Sequence, residues 1–134
     1  MAVVLVVEDE NLVRALAEMI LQEAKHQTVS ASNSEEALSL LQSDRTIDVL
    51  FTDLALDKSP EGGIHLAIAA RKLRPELSVL YTTGQCVTGG MTALFVQPHG
   101  FLGKPYATDQ LSMALGNSLR QGRAFPLLLF SSVT

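Results

Sequence analysis

Carboxylates, hydroxyls and a lysine stand where short apolar runs of the sequence end. In chain order they are Glu8 and Asp9, Asp53, Thr82 and Thr83, and Lys104. Most of the apolar runs before them are aliphatic or β-branched, which is typical of strands buried on both faces. If these strands lie parallel in one sheet, their carboxyl ends meet on one side, and we expect the polar side chains to meet there.

Three carboxylates in one crevice repel one another, so they need a counter-charge to stay ionised together. Mg²⁺ is one such charge, because it binds a few carboxylates together with water and phosphate oxygens. Lys104 is another, since its ammonium group can reach an anion. A carboxylate beside Mg²⁺, a hydroxyl and a lysine can accept a phosphoryl group, with aspartate as the nucleophile. The residue types therefore predict phosphoryl transfer to an aspartate, which becomes an acyl phosphate.

The secondary-structure elements that must position these groups are predicted to alternate along the chain: short apolar runs indicate strands, and apolar residues at helical spacing indicate helices. Predicted strands cover residues 2–7, 27–31, 47–52, 78–82 and 100–103. Predicted helices follow them: from residue 12 onward, after residue 33, over 64–73, over 91–96 and after residue 108. Parallel strands joined by right-handed helical crossovers predict an α/β fold, a doubly wound sheet with helices on both faces.

The first predicted helix has a clear amphipathic pattern. Its apolar residues recur at the spacing of one helix face, and we expect this face to be buried: Leu12, Val13, Leu16, Ala17, Ile20 and Leu21. Glu18, Gln22 and Lys25 then fall on the solvent side.

Local signals mark the ends of the other helices. Asn33 predicts a helix cap, and acidic residues follow it in the first turn. Residues 57–63, with a proline and two glycines, predict a loop before the third helix. Thr108 predicts the cap of a last helix, in which leucines repeat every fourth residue at Leu111, Leu115 and Leu119.

Composition limits the classes of function that remain. The 134 residues fit one domain, and a net charge of −4 argues against nucleic-acid binding through phosphate contacts. Cys86 is alone, so no intrachain disulfide forms, and a reducing cytoplasm is the expected compartment. The apolar start is too short for a signal peptide or a membrane span. The three histidines lack metal-ligand spacing, so we interpret them as surface or packing residues: His26, His65 and His99.

Four motifs resemble the receiver domain of the two-component response-regulator family, over about residues 2–121. They are Val-Val-Glu-Asp-Glu ending at Glu10, Phe-Thr-Asp-Leu ending at Leu54, Tyr-Thr-Thr-Gly ending at Gly84, and Gly-Phe-Leu-Gly-Lys-Pro ending at Pro105. Each motif is weak alone, but all four in this order and at these intervals are a strong signal. The resemblance implies a five-stranded parallel sheet with the flavodoxin-like strand order 2-1-3-4-5.

The resemblance also implies a role for each matching residue. Asp53 would be the phospho-acceptor. Mg²⁺ would be bound by four groups: the side chains of Glu8, Asp9 and Asp53 and the backbone carbonyl of Ala55. Thr83 would bond a phosphoryl oxygen, and Lys104 would pair with the phosphoryl group. Phe101 stands at the aromatic switch position, where it either turns on phosphorylation or stays a static core aromatic.

The sequence departs from the family pattern in three places. Asp57 stands where the family usually has proline, and its carboxylate is either a solvated loop group or a further group near the metal. The region of the fourth helix is rich in glycine and contains Pro98. After the predicted domain at 1–121, residues 122–134 form an apolar extension. Its run from Leu127 to Phe130 is expected to pack on its own domain or across a homodimer.

These inferences combine into one hypothesis. The chain is a single-domain, cytoplasmic response regulator that uses Mg²⁺ and takes a phosphoryl group onto Asp53 from a histidine kinase or histidine phosphotransfer protein. It is a switch rather than a metabolic enzyme, and it signals to a downstream protein by changing its binding surface. No output domain, nucleic acid or membrane is expected. Two alternatives stay open: an interaction module that is not phosphorylated, and a receiver segment of a larger hybrid kinase.

Overall fold

The computed structural model describes residues 2–83, 100–103, 110–111 and 113–117. Its elements in chain order are β1 (Val3–Val7), α1 (Asn11–Glu23), β2 (Gln27–Ala31), α2 (Ser34–Gln42), β3 (Val49–Asp53), α3 (Gly62–Leu73), β4 (Ser78–Thr83) and β5 (Gly100–Gly103). Residues 110–111 and 113–117 are helical, and we call them the C-terminal helical segment. The predictions for a helix at 91–96, for the Thr108 cap, for Leu119 and for the extension at 122–134 lie outside the described residues.

The five strands form one parallel sheet in the order β2-β1-β3-β4-β5. This confirms the predicted fold class and strand order. The predicted strands 27–31 and 100–103 match β2 and β5 at both ends, and the other three differ by one or two residues. No helix in the described part of the chain is long and apolar enough to cross a membrane.

Alternate residues of the strands pack into two separate core layers, one on each face of the sheet. Leu5 and Leu50 lie in the layer covered by α2 and α3. Val4, Val49 and Phe51 lie in the layer covered by α1 and the C-terminal helical segment. Because side chains alternate along a strand, the side chain of each strand residue points to one of these two layers. The side chain of the last residue points to the same face as that of the residue two positions earlier.

The structure corrects the predicted buried face of α1. Ala17, Ile20 and Leu21 are buried, but Leu12 is 86% exposed and Leu16 is 52% exposed. At 100° per residue, Leu12 lies roughly 130° around the helix from the centre of the buried face. The apolar residues of α1 therefore cover a wider part of the helix surface than the sheet buries, and Leu12 and Leu16 at its margin remain in solvent.

The end of α1 also differs from the prediction, because Lys25 lies beyond the helix rather than on its solvent side. Ala24 is the C-cap residue of α1, and Lys25 after it has a φ of 75°, in the left-handed region. The amide of Lys25 donates to the carbonyl of Gln22 at 3.0 Å, and that of His26 donates to Leu21 at 3.0 Å. These two bonds form a Schellman motif, which usually has glycine where Lys25 stands.

The predicted cap of α2 is present. The Asn33 side chain accepts a hydrogen bond from the amide of Glu36 at 2.8 Å. In return, the Glu36 carboxylate accepts from the amide of Ser32 at 2.7 Å and from its hydroxyl at 3.0 Å. These bonds hold the pKa of Glu36 below its usual value. The cap thus anchors the start of α2 through residues that are close in sequence.

Candidate functional site

Three carboxylates meet at the carboxyl end of the sheet, the side on which the parallel strands finish. Glu8 and Asp9 follow β1, Asp53 ends β3, and β1 and β3 are paired neighbours. One carboxylate oxygen from each residue lies within 4.8 Å of the other two. Glu8 is 4% exposed and Asp53 is 7% exposed, while Asp9 is open to solvent. The structure therefore brings together the acidic residues that the strand ends predicted.

This acidic group fits a hard divalent cation. Oxygens around Mg²⁺ at about 2.1 Å lie at most about 4.2 Å apart, so a small closure of the acidic group would suffice. Carboxylates are also the donors that Mg²⁺ prefers, and a cation would offset the repulsion among them. The type and charge of the three ligand groups, and not only the distances between them, make the site suitable for Mg²⁺.

The loop between β1 and α1 is fixed by bonds on both sides of Glu8. The Glu8 amide donates to the carbonyl of Ala31 at 3.2 Å, and the Glu8 carboxylate accepts from the amide of Glu10 at 3.2 Å. Arg14 donates through Nη1 to the Glu8 carbonyl at 2.7 Å and through Nη2 to Asn11 at 2.7 Å. Arg14 therefore ties the acidic loop to the first turn of α1. Sequence reasoning did not identify this role.

The backbone around Asp53 is braced by the start of α3. The amide of Gly63 donates to the carbonyl of Leu54 at 2.8 Å. A Cβ atom at Gly63 would overlap the carbonyl oxygen of Asp53, and one at Gly62 would overlap that of Leu56. This close approach explains why glycine stands at both positions. The two glycines were predicted to end a loop, but α3 already begins at Gly62. The glycines let the helix abut the strand end that presents Asp53.

Asp57 does not belong to the acidic group. Its side chain is exposed, and its Oδ1 accepts a hydrogen bond from the amide of Ser34 at 3.1 Å. Asp57 and Lys58 have φ values of 59° and 61°, and Leu56 and Ser59 exchange two backbone hydrogen bonds across this turn. The turn directs the carboxylate toward the start of α2, so the geometry favours the solvated-loop interpretation.

The end of β4 places a second polar residue beside Asp53. In the parallel register, Asp53 is the partner of Thr82 on β4. The Thr82 side chain is buried, and its Oγ1 has no hydrogen-bond partner among the described residues. Thr83 pairs with Gly103, and Phe101 pairs with Tyr81, as strand residues. The side chains of Thr83 and Phe101, and Lys104 as a whole, lie outside what the structure describes.

The described histidines are not part of the acidic group. His26 accepts a hydrogen bond through Nδ1 from the amide of Ala2 at 3.0 Å, at the start of the sheet. The exposed His65 lies 4.0 Å from a carboxylate oxygen of Glu61. His99 and Cys86 fall outside the described residues.

Comparison with known proteins gives a consistent result. The family model for the response regulator receiver domain matches residues 4–116. An NtrX-like protein of Rickettsia bellii, described as a response regulator, is 25% identical over 113 residues, which are 84% of this chain and 23% of the relative. The chain thus spans about a quarter of the length of the curated relative that it matches.

Two solved structures are similar in both sequence and fold. A response regulator receiver domain protein from Clostridium thermocellum is 25% identical with a TM-score of 0.75, covering 90% of this chain and 96% of that one. NtrX from Brucella abortus is 28% identical with a TM-score of 0.77, covering 91% of this chain but only 27% of that one. The matched part corresponds to almost a whole chain in one case and to one segment of a larger protein in the other. Together with the family match, the sheet order and the acidic group, these similarities establish that this chain belongs to the response regulator receiver domain family.

Proposed function

We propose that this chain accepts a phosphoryl group on Asp53 from a phosphohistidine and passes the signal on through a change in its protein-binding surface. The observation that carries the proposal is the buried Asp53 carboxylate at the end of β3, grouped with Glu8 and Asp9 within 4.8 Å. In this role the chain is a signalling switch, and its acyl phosphate is later hydrolysed by water.

The transfer step uses the Asp53 carboxylate as the nucleophile. One of its oxygens forms a bond to phosphorus while the bond from phosphorus to the donor imidazole nitrogen breaks, and the electron pair of that bond stays on the imidazole. Glu8, Asp9, Asp53 and the Ala55 carbonyl would bind Mg²⁺, which supplies positive charge against the phosphoryl oxygens. The amide of Ala55 donates to Asp53 Oδ1 at 3.4 Å, which orients the carboxylate.

Three further residues are assigned by family resemblance. Thr83 donates its hydroxyl to a phosphoryl oxygen, and the Lys104 ammonium pairs with the phosphoryl group. Phosphorylation adds charge and acceptor oxygens that draw both groups inward. Phe101 then turns toward the space that Thr83 leaves. Lys104→Ala should still become phosphorylated but should show weaker amide shift changes around Phe101 on phosphorylation, and equal changes in both proteins would contradict this coupling.

The histidine kinase or phosphotransfer protein is proposed to dock on α1. This helix starts directly after the acidic group, and it exposes a row of apolar side chains at Leu12, Leu16 and Met19. A donor histidine must reach Asp53, so its protein has to cover the surface beside the carboxyl end of the sheet. Leu12→Asp should slow transfer from phosphorylated kinases while leaving labelling by acetyl phosphate unchanged. Equal slowing with both donors would contradict docking at this row.

The decisive experiment treats the protein with acetyl phosphate and Mg²⁺ and measures intact mass. Wild type should gain one phosphoryl mass, Asp53→Asn should gain none, and the exposed neighbour variant Asp57→Asn should label as wild type does. Labelling of Asp53→Asn at the wild-type level would refute the acceptor assignment. An unlabelled wild type that also fails to bind Mg²⁺ would support the alternative of an interaction module that is not phosphorylated.

The cellular context of this function is also proposed. A single cysteine in 134 residues suits a reducing cytoplasm, where receiver phosphorylation takes place. Because the curated relative is much longer than this chain, a receiver within a larger protein, including a hybrid kinase, stays an alternative to a single-domain regulator. The downstream partner would then be intramolecular. Comparing the mass of the protein in its native cells with 14.4 kDa separates these two arrangements.

A further inference from the structure

The hydroxyl of Thr82 lies beside Asp53 but has no role in the phosphoryl transfer proposed above. Thr82 is 3% exposed, and its Oγ1 has no hydrogen-bond partner in the described part of the chain. Buried polar side chains are nearly always bonded, because leaving a donor unpaired in a dry interior costs free energy. A buried hydroxyl without a partner beside a functional site therefore calls for a ligand that supplies one.

The strand register puts this hydroxyl on the same face of the sheet as the acceptor. Asp53 and Thr82 are direct partners on neighbouring strands, and the amide of Leu54 donates to the Thr82 carbonyl at 2.9 Å. Phe51 and Leu80, two residues earlier on each strand, pack in one core layer. Because side chains alternate along strands, Asp53 and Thr82 project to that same side.

The distance between the strands of Asp53 and Thr82 allows the Thr82 hydroxyl to contact a group attached to Asp53. Neighbouring strands lie about 4.8 Å apart, a gap that a phosphoryl group on the Asp53 carboxylate can span. Such a group brings three acceptor oxygens, and a threonine hydroxyl can donate to any of them. The carbonyl bond to Leu54 keeps the backbone of Thr82 beside the acceptor while its hydroxyl turns.

We infer that Thr82 is a second phosphoryl-binding hydroxyl, distinct from Thr83, which donates to an oxygen of the phosphoryl group on Asp53. This inference rests on the proposed function. In the unphosphorylated protein the hydroxyl is buried and has no partner among the described residues, and phosphorylation supplies one. Thr82 thereby destabilises the unphosphorylated state relative to the phosphorylated state.

Thr82→Val tests this, since valine keeps the shape of threonine and removes only the hydroxyl. Melting temperature in Mg²⁺ is measured with and without beryllofluoride, a phosphoryl mimic that binds the acceptor aspartate. Thr82→Val should melt at a higher temperature than wild type without beryllofluoride, because a buried unpaired group is gone. It should need about tenfold more beryllofluoride for half saturation, and its acyl phosphate should hydrolyse with a changed half-life. Thr82→Ser should retain the wild-type beryllofluoride affinity.

Thr52→Val is the matched control. Thr52 is also buried beside Asp53, but its hydroxyl already donates to the Asp53 carbonyl at 3.0 Å. Its loss should lower the melting temperature, the opposite sign to Thr82→Val, and should change beryllofluoride affinity less.

The outcomes separate this inference from the function on which it rests. Equal beryllofluoride affinity in wild type and Thr82→Val would overturn the role of Thr82 and leave the acceptor function intact. A lower melting temperature for unliganded Thr82→Val would overturn it too, because the hydroxyl would then be bonded before phosphorylation. A wild-type protein that binds no beryllofluoride and takes no phosphoryl group would overturn the proposed function, and this inference with it.

Discussion

At the amino end of the sheet, where the strands begin, several polar side chains bond backbone groups, whereas at the carboxyl end three carboxylates share one small space. Asp48 Oδ2 accepts from the amide of Val3 at 2.9 Å, and His26 accepts from that of Ala2 at 3.0 Å. Arg74 donates to the carbonyls of Leu41 at 3.0 Å and Ser43 at 2.8 Å. These side chains complete hydrogen bonds that the first and last turns of the elements would otherwise leave to water.

The carboxyl end contains like charges instead. Glu8 and Asp53 are buried beside each other, Asp9 is close to both, and their mutual repulsion opposes folding without a cation. Among the described residues, the grouped like charges lie where the strands finish, although polar groups that stabilise the fold, such as Arg14 and Asn33, lie at that end too. The difference teaches that this chain gathers its closely spaced like charges at the end of the sheet where the proposed chemistry would take place.

Surface shape alone does not point to the carboxylates, because a groove also lies at the opposite end of the sheet. A groove of about 630 Å³ lies at the amino end, lined by the end of α2, the residues after it, and Leu73 and Arg74 from the end of α3. The Arg74 guanidinium in that groove is already bonded to two backbone carbonyls. A groove therefore does not by itself mark a ligand site, whereas the gathered carboxylates are a donor set suited to a cation.

The largest expected effect comes from removing one charge at each end. Asp9→Asn should weaken Mg²⁺ binding by about tenfold to a hundredfold or more, as loss of a metal ligand does, and should reduce phosphorylation in parallel. Without Mg²⁺ the same variant should melt at a higher temperature, because repulsion falls. Asp48→Asn, whose amide oxygen can still accept from Val3, should leave the Mg²⁺-induced rise in melting temperature unchanged. Equal Mg²⁺ responses in the two variants would remove the contrast between the ends.

The next largest effect concerns the brace behind Asp53. Gly63→Ala puts a Cβ atom against the Asp53 carbonyl and the Leu54 Cα, so the helix or the strand end must shift. We expect a loss of about 3 kcal/mol in the free energy of unfolding, measured by urea denaturation, together with weaker Mg²⁺ binding. Lys72→Ala, at an exposed position of the same helix, should change stability by less than about 0.5 kcal/mol. An unaltered Gly63→Ala protein would show that this close approach is not needed.

A moderate effect is expected at the amino end. Arg74→Ala removes the donors to Leu41 and Ser43 and should cost about 1 to 2 kcal/mol of unfolding free energy, since both bonds are charge-assisted but partly exposed. Arg74→Lys should recover part of this, because lysine supplies a single donor point. Phosphorylation by acetyl phosphate should proceed at the wild-type rate in both variants. A slowed rate would show that the two ends of the sheet are coupled.

The smallest effect is a dependence on pH at the amino end. Burial lowers the pKa of His26 below 6.5, so the unfolded chain binds its proton more readily than the folded chain does. The stability from the neutral ring is complete above pH 6.5 and is lost as pH falls through the lower, folded-state pKa. The loss should be less than about 1 kcal/mol, because the ring is partly exposed. His26→Leu should flatten this part of the curve of melting temperature against pH, and an unchanged slope would contradict the assignment.

Local sequence was sufficient for the features that depend on near neighbours. Three features follow from short stretches of chain: the Asn33 cap, the extents of β2 and β5, and the placement of Glu8 just after β1 and of Asp53 at the end of β3. The meeting of the carboxylates also follows, because parallel strands finish on the same side of a sheet. The family motifs added the strand order, which periodicity alone does not specify.

Other features depended on contacts between residues distant in sequence. Sequence patterns could not decide between the alternatives for these features. Leu12 and Leu16 have the spacing of a buried face, but the way α1 packs on the sheet leaves both exposed. Asp57 could have joined the acidic group, yet a left-handed turn directs it to Ser34. The sequence by itself determined which polar groups stand at the strand ends, because that follows from chain order. Only the tertiary structure decided the surroundings of these groups, because hydrogen bonding and burial depend on which elements pack together. It gave Arg14 the Glu8 carbonyl as a partner, and it buried the Thr82 hydroxyl with no partner among the described residues.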